Sequence, residues 1–298
     1  MKLGMIGLGR MGANMAQRLR AAGHEVVGYD MNPRVSEVAD VPALVEALPA
    51  GERVVWVMVP AGKPTESTIA QLAPLLTEGD IVVEGGNSHF PADQENARVL
   101  AEKGVGYVDA GVSGGVWGRE EGYGLMVGGR DADVERLLPV FDALRPEGPR
   151  EEGFVHAGPV GAGHYAKMVH NGIEYGLMQA YAEGYQLLEA RDDLIPDVPK
   201  VVGAWRRGTV VRSWLLDLMV LALEEDPDLE QLKGWVDDSG EGRWTVVESV
   251  ENAVPTPVIT SALYARFSSR QPDSPAMRAI AALRQQFGGH AVKSDEQD

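Results

Sequence analysis

The chain has no cysteine among its 298 residues, so neither a disulfide nor a thiolate metal site is open to it. It is also short of positive charge. The 27 Lys and Arg stand against 44 Asp and Glu, a formal net charge of -17, which argues against a nucleic-acid partner. An anionic small substrate is still compatible, because a few clustered arginines can set the local field of a cleft. No uninterrupted apolar run approaches the roughly 18 residues that a membrane-spanning helix needs, so no membrane partner is expected. The chain opens MKLGMIGLGRMG, straight into a strand with no apolar targeting region in front, and a cytoplasmic location is the expectation. There is no internal repeat and no low-complexity segment; only the tail KSDEQD looks frayed.

What is present suits a globular protein. A hydrophobic fraction of 44% with 24% charged residues can supply a sizeable core, and the length fits one large domain or two ordinary ones. Up to about residue 155, strand-like runs (KLGMIG, EVVGY, RVVWVMV, DIVVEGG, GVGYVDAG) alternate with helical stretches (MGANMAQRLRAAG, TESTIAQLAPLL, ADQENARVLAEKG). GYGLMVGG and DADVERLLPVFDAL extend the pattern. Such alternation predicts a parallel, doubly wound α/β sheet of the Rossmann type. After about residue 162 the strands stop. GHYAKMVHNGIEYGLMQAYAEGYQLLEA reads as one long helix, VRSWLLDLMVLALEED as a second, and SALYARFSSR and AMRAIAALRQQF as two more. The expected organisation is an α/β domain over 1–162 followed by an all-α domain over 163–298.

GLGRMG supplies Gly7, Gly9 and Gly12 in G-x-G-x-x-G spacing, after an apolar strand and at the start of a helix. The first glycine permits a tight turn, the second lets backbone approach a pyrophosphate, and the third lets helix and strand pack closely. The free amides of the helix N-terminus then face the phosphates. Leu8, Arg10 and Met11 within this loop, and Val59 after the third strand, are the accompanying cofactor candidates. Asp30 closes the second strand 18 positions after Gly12 (30 minus 12), where an acid accepts from ribose hydroxyls and repels a 2′-phosphate. NAD is therefore expected over NADP, although Arg34 lies close by.

KMVHNGIEYG places Lys167, His170, Asn171 and Glu174 at i, i+3, i+4 and i+7, on one face of an otherwise buried helix among Met168, Val169, Ile173 and Met178. A solvated face with a Lys/Glu pair is the plain alternative. With EGGNS and GVSGG also in view, the chain resembles the 6-phosphogluconate dehydrogenase family, in its short form without the long C-terminal helical extension. VSGG and a downstream lysine occur throughout the β-hydroxyacid dehydrogenase superfamily, whereas K-x-x-H-N-x-x-E-Y is far more specific. The resemblance covers nearly the whole chain. It implies oxidative decarboxylation of 6-phosphogluconate to ribulose 5-phosphate with NAD and without a metal, Lys167 acting as general base and Glu174 as the acid that protonates C1. A free lysine has a pKa near 10.4, so a base at neutral pH needs that value lowered, most simply by burial. His170 and Asn171 would bind substrate hydroxyls or carboxylate.

The resemblance implies further site residues. Asn87 would lie between nicotinamide and sugar, and Ser113, Gly114 and Gly115 would hold the carboxylate end. Tyr175 and Arg266 would contact the phosphate. Arg284 and His290 keep the family's six-residue separation (290 minus 284), in a tail that would reach a neighbouring subunit. A homo-oligomer, dimer or tetramer, is thus expected, with 163–298 as substrate and oligomerisation domain. The chain departs from the pattern where long forms keep a phosphate-binding lysine. DDSGEGRWT puts acids and Ser239 there, so either Arg243 compensates or the phosphate is held less tightly. It also has Asp30-Met31 where NADP-using long forms carry an arginine, which reinforces the NAD expectation. Two other readings stand beside this one. One is a plain β-hydroxyacid dehydrogenase acting on a non-phosphorylated acid; the other is an NAD-binding sensor without chemistry.

Overall fold

The computed structural model describes residues 1–288. It opens with β1 (Lys2–Ile6), α1 (Arg10–Ala21), β2 (Glu25–Tyr29), α2 (Val41–Glu46), β3 (Val54–Val57), α3 (Lys63–Leu72) and β4 (Ile81–Glu84). There follow α4 (Phe90–Ala101), β5 (Gly106–Ser113), α5 (Gly118–Glu121), β6 (Gly124–Gly129), α6 (Asp131–Leu144) and β7 (Phe154–Gly158). The rest is helical: α7 (Ala162–Glu189), α8 (Val198–Ala204), α9 (Trp214–Glu225), α10 (Gly240–Glu251), α11 (Pro257–Ser269) and α12 (Pro275–Gly288). None of these helices is long and apolar enough to cross a membrane. The chain divides into two compact units, Met1–Gly172 and a second beginning at Ile173, so the division falls inside α7.

The strands form one seven-stranded sheet in the order β2-β1-β3-β4-β5-β6-β7. β1 pairs with β2 on one side and β3 on the other, both parallel, with Met5 opposite Gly28 and Trp56. The chain therefore winds outward in two directions from β1. The crevice beyond the carboxyl ends of β1 and β3 is the topological switch point where such folds bind ligands. Helices bury both faces, as a parallel sheet requires. The strand period of two then sorts the side chains: Met5, Val54 and Trp56 enter one apolar layer, Ile6, Val55 and Val57 the other.

Two parts of this unit depart from the sequence expectation. β6 is antiparallel to β5, with Ser113 opposite Gly124. A parallel pair needs a crossover of about a dozen residues or more, and the connection 114–123 holds no helix longer than the four-residue α5. β7 then adds a parallel edge at FVHAG, a five-residue run that is not among the expected strands.

The second unit contains two small cores. Val198, Val202, Leu216, Val220 and Leu223 pack with Tyr181, Tyr185 and Leu188, while Tyr175, Ala262 and Leu263 pack with Val246 and Phe267. Helix α10 was not anticipated. Its GEGRWTVVESVE combines two glycines with β-branched residues, all weak helix formers, so local propensity gives little signal. Tertiary contact explains one glycine: a Cβ on Gly242 would lie 2.4 Å from the Tyr175 ring. Helix α7 is less buried than its composition suggested. Ile173 is 53% exposed, and Leu177 and Met178 are also exposed, an apolar stripe that the described residues leave uncovered.

Candidate active site

The glycine fingerprint is held together by steric demands that can be checked one by one. Gly7 has φ +94°, a left-handed conformation, and a Cβ there would meet the Met58 carbonyl oxygen at 2.3 Å. A Cβ on Gly12 would come within 1.9 Å of the Gly7 carbonyl oxygen, so only glycine lets α1 sit against the turn. Gly9 is different. Its backbone is ordinary (φ -63°, ψ -174°), and apart from its chain neighbours a Cβ there would meet no atom of the described residues within 4 Å. Nothing in the protein requires that glycine, whereas a ligand pressed against the backbone would. Arg10, exposed, is the first residue of α1, and half-buried Met11 packs against the core.

Asp30 shapes the loop from both sides. Its Oδ2 accepts from the Leu8 amide at 2.7 Å and its Oδ1 from the Asn32 amide at 2.8 Å. A carboxylate has acceptor sites to spare beyond these two. Neighbouring Met31 is almost fully exposed, and the Arg34 backbone is tied to Asn32 Oδ1 at 3.1 Å.

The EGGNS turn meets the same region through β3. A Cβ on Gly86 would lie 2.2 Å from the Val59 carbonyl oxygen, and Val59 Cγ1 is 3.1 Å from a Cβ placed on Gly7. The turn ends in Asn87 at φ +57°, and buried Asn87 Oδ1 has no hydrogen-bond partner among the described residues. An orphaned buried acceptor in the turn and a glycine with open space in the fingerprint are what a bound dinucleotide and its substrate would complete. The residues present fit a nicotinamide dinucleotide.

At the end of β5, Ser113 is followed by Gly114 (φ +131°) and Gly115 (φ +52°), a turn that bulkier residues would strain. Two residues before Ser113, the strand runs against α7: a Cβ on Gly111 would sit 2.4 Å from Lys167 Cβ. The serine loop and Lys167 are thus brought together. Lys167 is 5% exposed, the burial that general-base chemistry asks of a lysine. His170 Nδ1 stands 3.4 Å from Lys167 Nζ and 3.0 Å from Asn171 Oδ1. Glu174, half-buried, follows on α7 at the spacing that shares this helix face.

In the second unit, Tyr175 is buried and its hydroxyl accepts from the Ser239 amide at 2.6 Å, with Ser239 Oγ at 2.9 Å. The Arg266 guanidinium lies 3.5 Å over the Tyr175 ring and donates to the Asp237 carbonyl at 3.0 Å. Arg243 donates to Asp238, whose Oδ1 also takes Arg270 at 2.7 Å. Sequence reading missed Asp238 and Arg270, whose pairing only the fold reveals. Exposed Arg284 on α12 makes no hydrogen bond or ion pair among the described residues, and His290 lies outside them.

The hydrogen bond from Arg243 holds the Asp238 carboxyl down to about 2 from the usual 3.8, against burial, with Arg270 helping. A carboxyl depressed on folding stabilises above its unfolded value and loses that effect as pH falls through the folded one. The thermal-stability gap between wild type and Asp238→Asn should therefore stay constant above about pH 4 and close toward pH 2, as a melting series across that range would show.

A second group escaped sequence reading, although its signal was visible: Glu84, Asp109 and His164 are polar residues inside apolar runs. Asp109 accepts from the Gly161 amide at 2.7 Å and the His164 amide at 2.8 Å, capping α7 from a neighbouring strand. His164 Nδ1 donates to Asp93 Oδ2 at 2.7 Å and lies 3.6 Å from Glu84 Oε2. Asp93 Oδ1 accepts from the Tyr107 hydroxyl at 2.8 Å. Glu84, Asp93 and His164 offer ligand atoms within 4.8 Å of one another. Because His164 is already bonded to Asp93, we read the trio as an ion triad and not as a metal cage. Burial would push the His164 imidazole down, but the Asp93 hydrogen bond and the charges of Asp93, Glu84 and Asp109 outweigh it and hold it up at about 9. Burial raises Glu84 to about 6, with His164 opposing.

A Rossmann sheet with this fingerprint, followed by a helical unit, defines a nicotinamide-cofactor oxidoreductase. Residues 2–146 match the family described as the NAD binding domain of 6-phosphogluconate dehydrogenase, and residues 163–298 match the 6-phosphogluconate dehydrogenase C-terminal domain. The chain belongs to the 6-phosphogluconate dehydrogenase family. It is 45% identical to the NAD(+)-dependent, decarboxylating 6-phosphogluconate dehydrogenase of Haloferax volcanii, over 98% of each chain. It is 34% identical to the NAD(+)-dependent, decarboxylating enzyme of Bacillus subtilis, covering 90% of this chain and 61% of that longer one. A Plasmodium falciparum 6-phosphogluconate dehydrogenase shares the fold, with TM-score 0.81 at 24% identity, covering 100% of this chain and 67% of that one. A 3-hydroxyisobutyrate dehydrogenase of Mycobacterium tuberculosis does so with TM-score 0.70 at 22% identity, covering 95% of this chain and 99% of that one.

Proposed function

We propose that the protein oxidatively decarboxylates 6-phospho-D-gluconate to D-ribulose 5-phosphate and CO2, with NAD preferred over NADP and no metal required. The observation that carries the reading is the buried Lys167 beside His170 and Asn171, on the helix face that Glu174 continues. NAD, when bound, accepts the hydride that leaves C3. Lys167 removes the C3 hydroxyl proton as that hydride departs. The resulting 3-keto acid loses its carboxylate because the electrons flow into the adjacent carbonyl, which the now protonated Lys167 polarises. Glu174 then delivers a proton to C1 of the enediol. His170 and Asn171 orient hydroxyls or carboxylate, and Ser113 with the Gly114 and Gly115 amides holds the acid end.

Phosphate recognition falls to Arg266 and Tyr175. The Tyr175 hydroxyl reaches the phosphate together with Ser239, to which it is bonded. Arg243 is committed to Asp238, the residue before Ser239. In this reading 1–162 binds the dinucleotide and 163–298 binds substrate and a second copy of the chain. The uncovered Ile173, Leu177, Val250, Val258 and Leu283 side chains favour such an oligomer.

The deciding experiment follows reduced cofactor and CO2 together, using purified protein, 6-phosphogluconate and either NAD or NADP. Equal release of both products, faster with NAD, is expected. Reduction without CO2 would move the reading to a simple β-hydroxyacid dehydrogenase. Glu174→Gln should slow ribulose 5-phosphate formation by about 100-fold or more, the scale of general acid catalysis. A variant turning over at the wild-type rate would remove Glu174 from the mechanism.

A further inference from the structure

His164 sits where three carboxylates from three elements converge: Glu84 at the end of β4, Asp93 on α4 and Asp109 on β5. All are buried; Glu84, Asp93 and Asp109 are 0% exposed and His164 2%. Each carboxylate also fixes a piece of backbone or a neighbour. Glu84 Oε1 accepts from the Gly86 amide at 2.6 Å and so shapes the turn that ends in Asn87. Asp109 caps the first turn of α7, one turn ahead of Lys167. Asp93 anchors Tyr107 of β5. Three carboxylates this close in a low-dielectric interior repel one another strongly unless a cation stands among them. A histidine satisfied within a core normally engages both ring nitrogens. Here Nε2 has no protein partner among the described residues, while Nδ1 faces two carboxylates.

The geometry points to His164 as a positioning residue of the reaction, the cation that ties the Asn87 turn to the first turn of α7 and so holds Asn87 and Lys167 in register. This rests on the roles given to Asn87 and Lys167 above. The charged and titratable groups facing the imidazole are Glu84, Asp93, Asp109 and Tyr107, with Lys167 one turn further along the same helix. Loss of the imidazolium leaves the carboxylates to push the two segments apart, misplacing both by a fraction of an ångström to an ångström. A misplacement of that size costs up to about 100-fold in rate.

Two substitutions in the full-length protein test this. His164→Asn keeps an N–H donor for Asp93 but removes the charge; Asp93→Asn removes the partner that does most to keep His164 protonated. In His164→Asn, amide hydrogen exchange followed by mass spectrometry should accelerate about tenfold or more in 84–89 and in 161–167 together, with the strands of the sheet unchanged. Its kcat with 6-phosphogluconate should fall about 10- to 100-fold while KM for substrate and NAD moves less than about threefold. In Asp93→Asn, the alkaline limb of the kcat profile should move to lower pH, since His164 loses its proton sooner. Acceleration in only one segment, kcat within about threefold of wild type, or an unmoved alkaline limb would each overturn the assignment. A wild type that never turns over 6-phosphogluconate would instead count against the proposed function, and the exchange measurement would still decide the tie between the two segments.

Discussion

Lys167→Met should lower kcat by about three to four orders of magnitude, the upper range for the base-and-acid role proposed for Lys167. Methionine matches the lysine stem as far as Cε and lacks the charged amine, so it suits a side chain that is only 5% exposed. The fingerprint glycines and Asp30 are untouched, and NAD affinity, measured by fluorescence quenching, should stay within about threefold of wild type. Lys167→Arg sharpens the interpretation. It restores a positive charge at the same place but cannot give up a proton. If charge alone served the reaction, Arg would recover most of the rate; if proton transfer is the task, it will be nearly as inactive as Met. A Met variant with kcat within tenfold of wild type would end the general-base assignment.

The second large effect is on cofactor choice. Asp30→Asn combined with Met31→Arg should raise the ratio of kcat/KM for NADP over NAD by about 100-fold or more. Replacing a carboxylate by a guanidinium near a 2′-phosphate turns a repulsion into an attraction worth a few kcal/mol at the effective dielectric of a protein surface, and about 1.4 kcal/mol corresponds to tenfold. KM for NAD should also rise, and the same loosening of the loop takes back part of the gain for NADP. Asp30 accepts from the Leu8 and Asn32 amides with its two oxygens, and an asparagine can accept with only one. The ratio isolates the charge effect from this loosening. An unchanged ratio would mean that the Asp30 carboxylate organises the loop and takes no part in discrimination.

The parts of this protein legible in the sequence are those written locally. Gly7, Gly9 and Gly12 announce the first turn of a dinucleotide fold because their spacing, directly after an apolar strand and at the start of a helix, is written within a few residues. Lys167, His170, Asn171 and Glu174 could be placed on one face because a helix fixes that relation by itself. Contacts made over long separations were not legible. His164 and Asp93 are 71 positions apart, and Tyr175 and Ser239 are 64 apart. The same limit hid Gly242, which local propensity counts against a helix and which the Tyr175 ring requires. The direction of β6 was lost for a related reason, since strand composition is silent on whether the chain has room to cross over. The exposed Ile173 and Leu177 show the converse, where apolar composition promised a burial that one chain does not provide.

Gly9 has a consequence for how this protein can be improved by selection or design. It occupies the N-cap of α1 with no side-chain cap, in backbone geometry that any residue adopts and with room for a side chain. A serine there would cap the helix and narrow the freedom of the unfolded chain, together about 0.5 to 1 kcal/mol in favour of the folded ligand-free state. In the proposed binding mode that same hydroxyl would stand where the pyrophosphate has to approach the backbone. Screens that reward heat resistance alone will drift toward such a residue and away from catalysis, so position 9 is where robustness and activity pull in opposite directions.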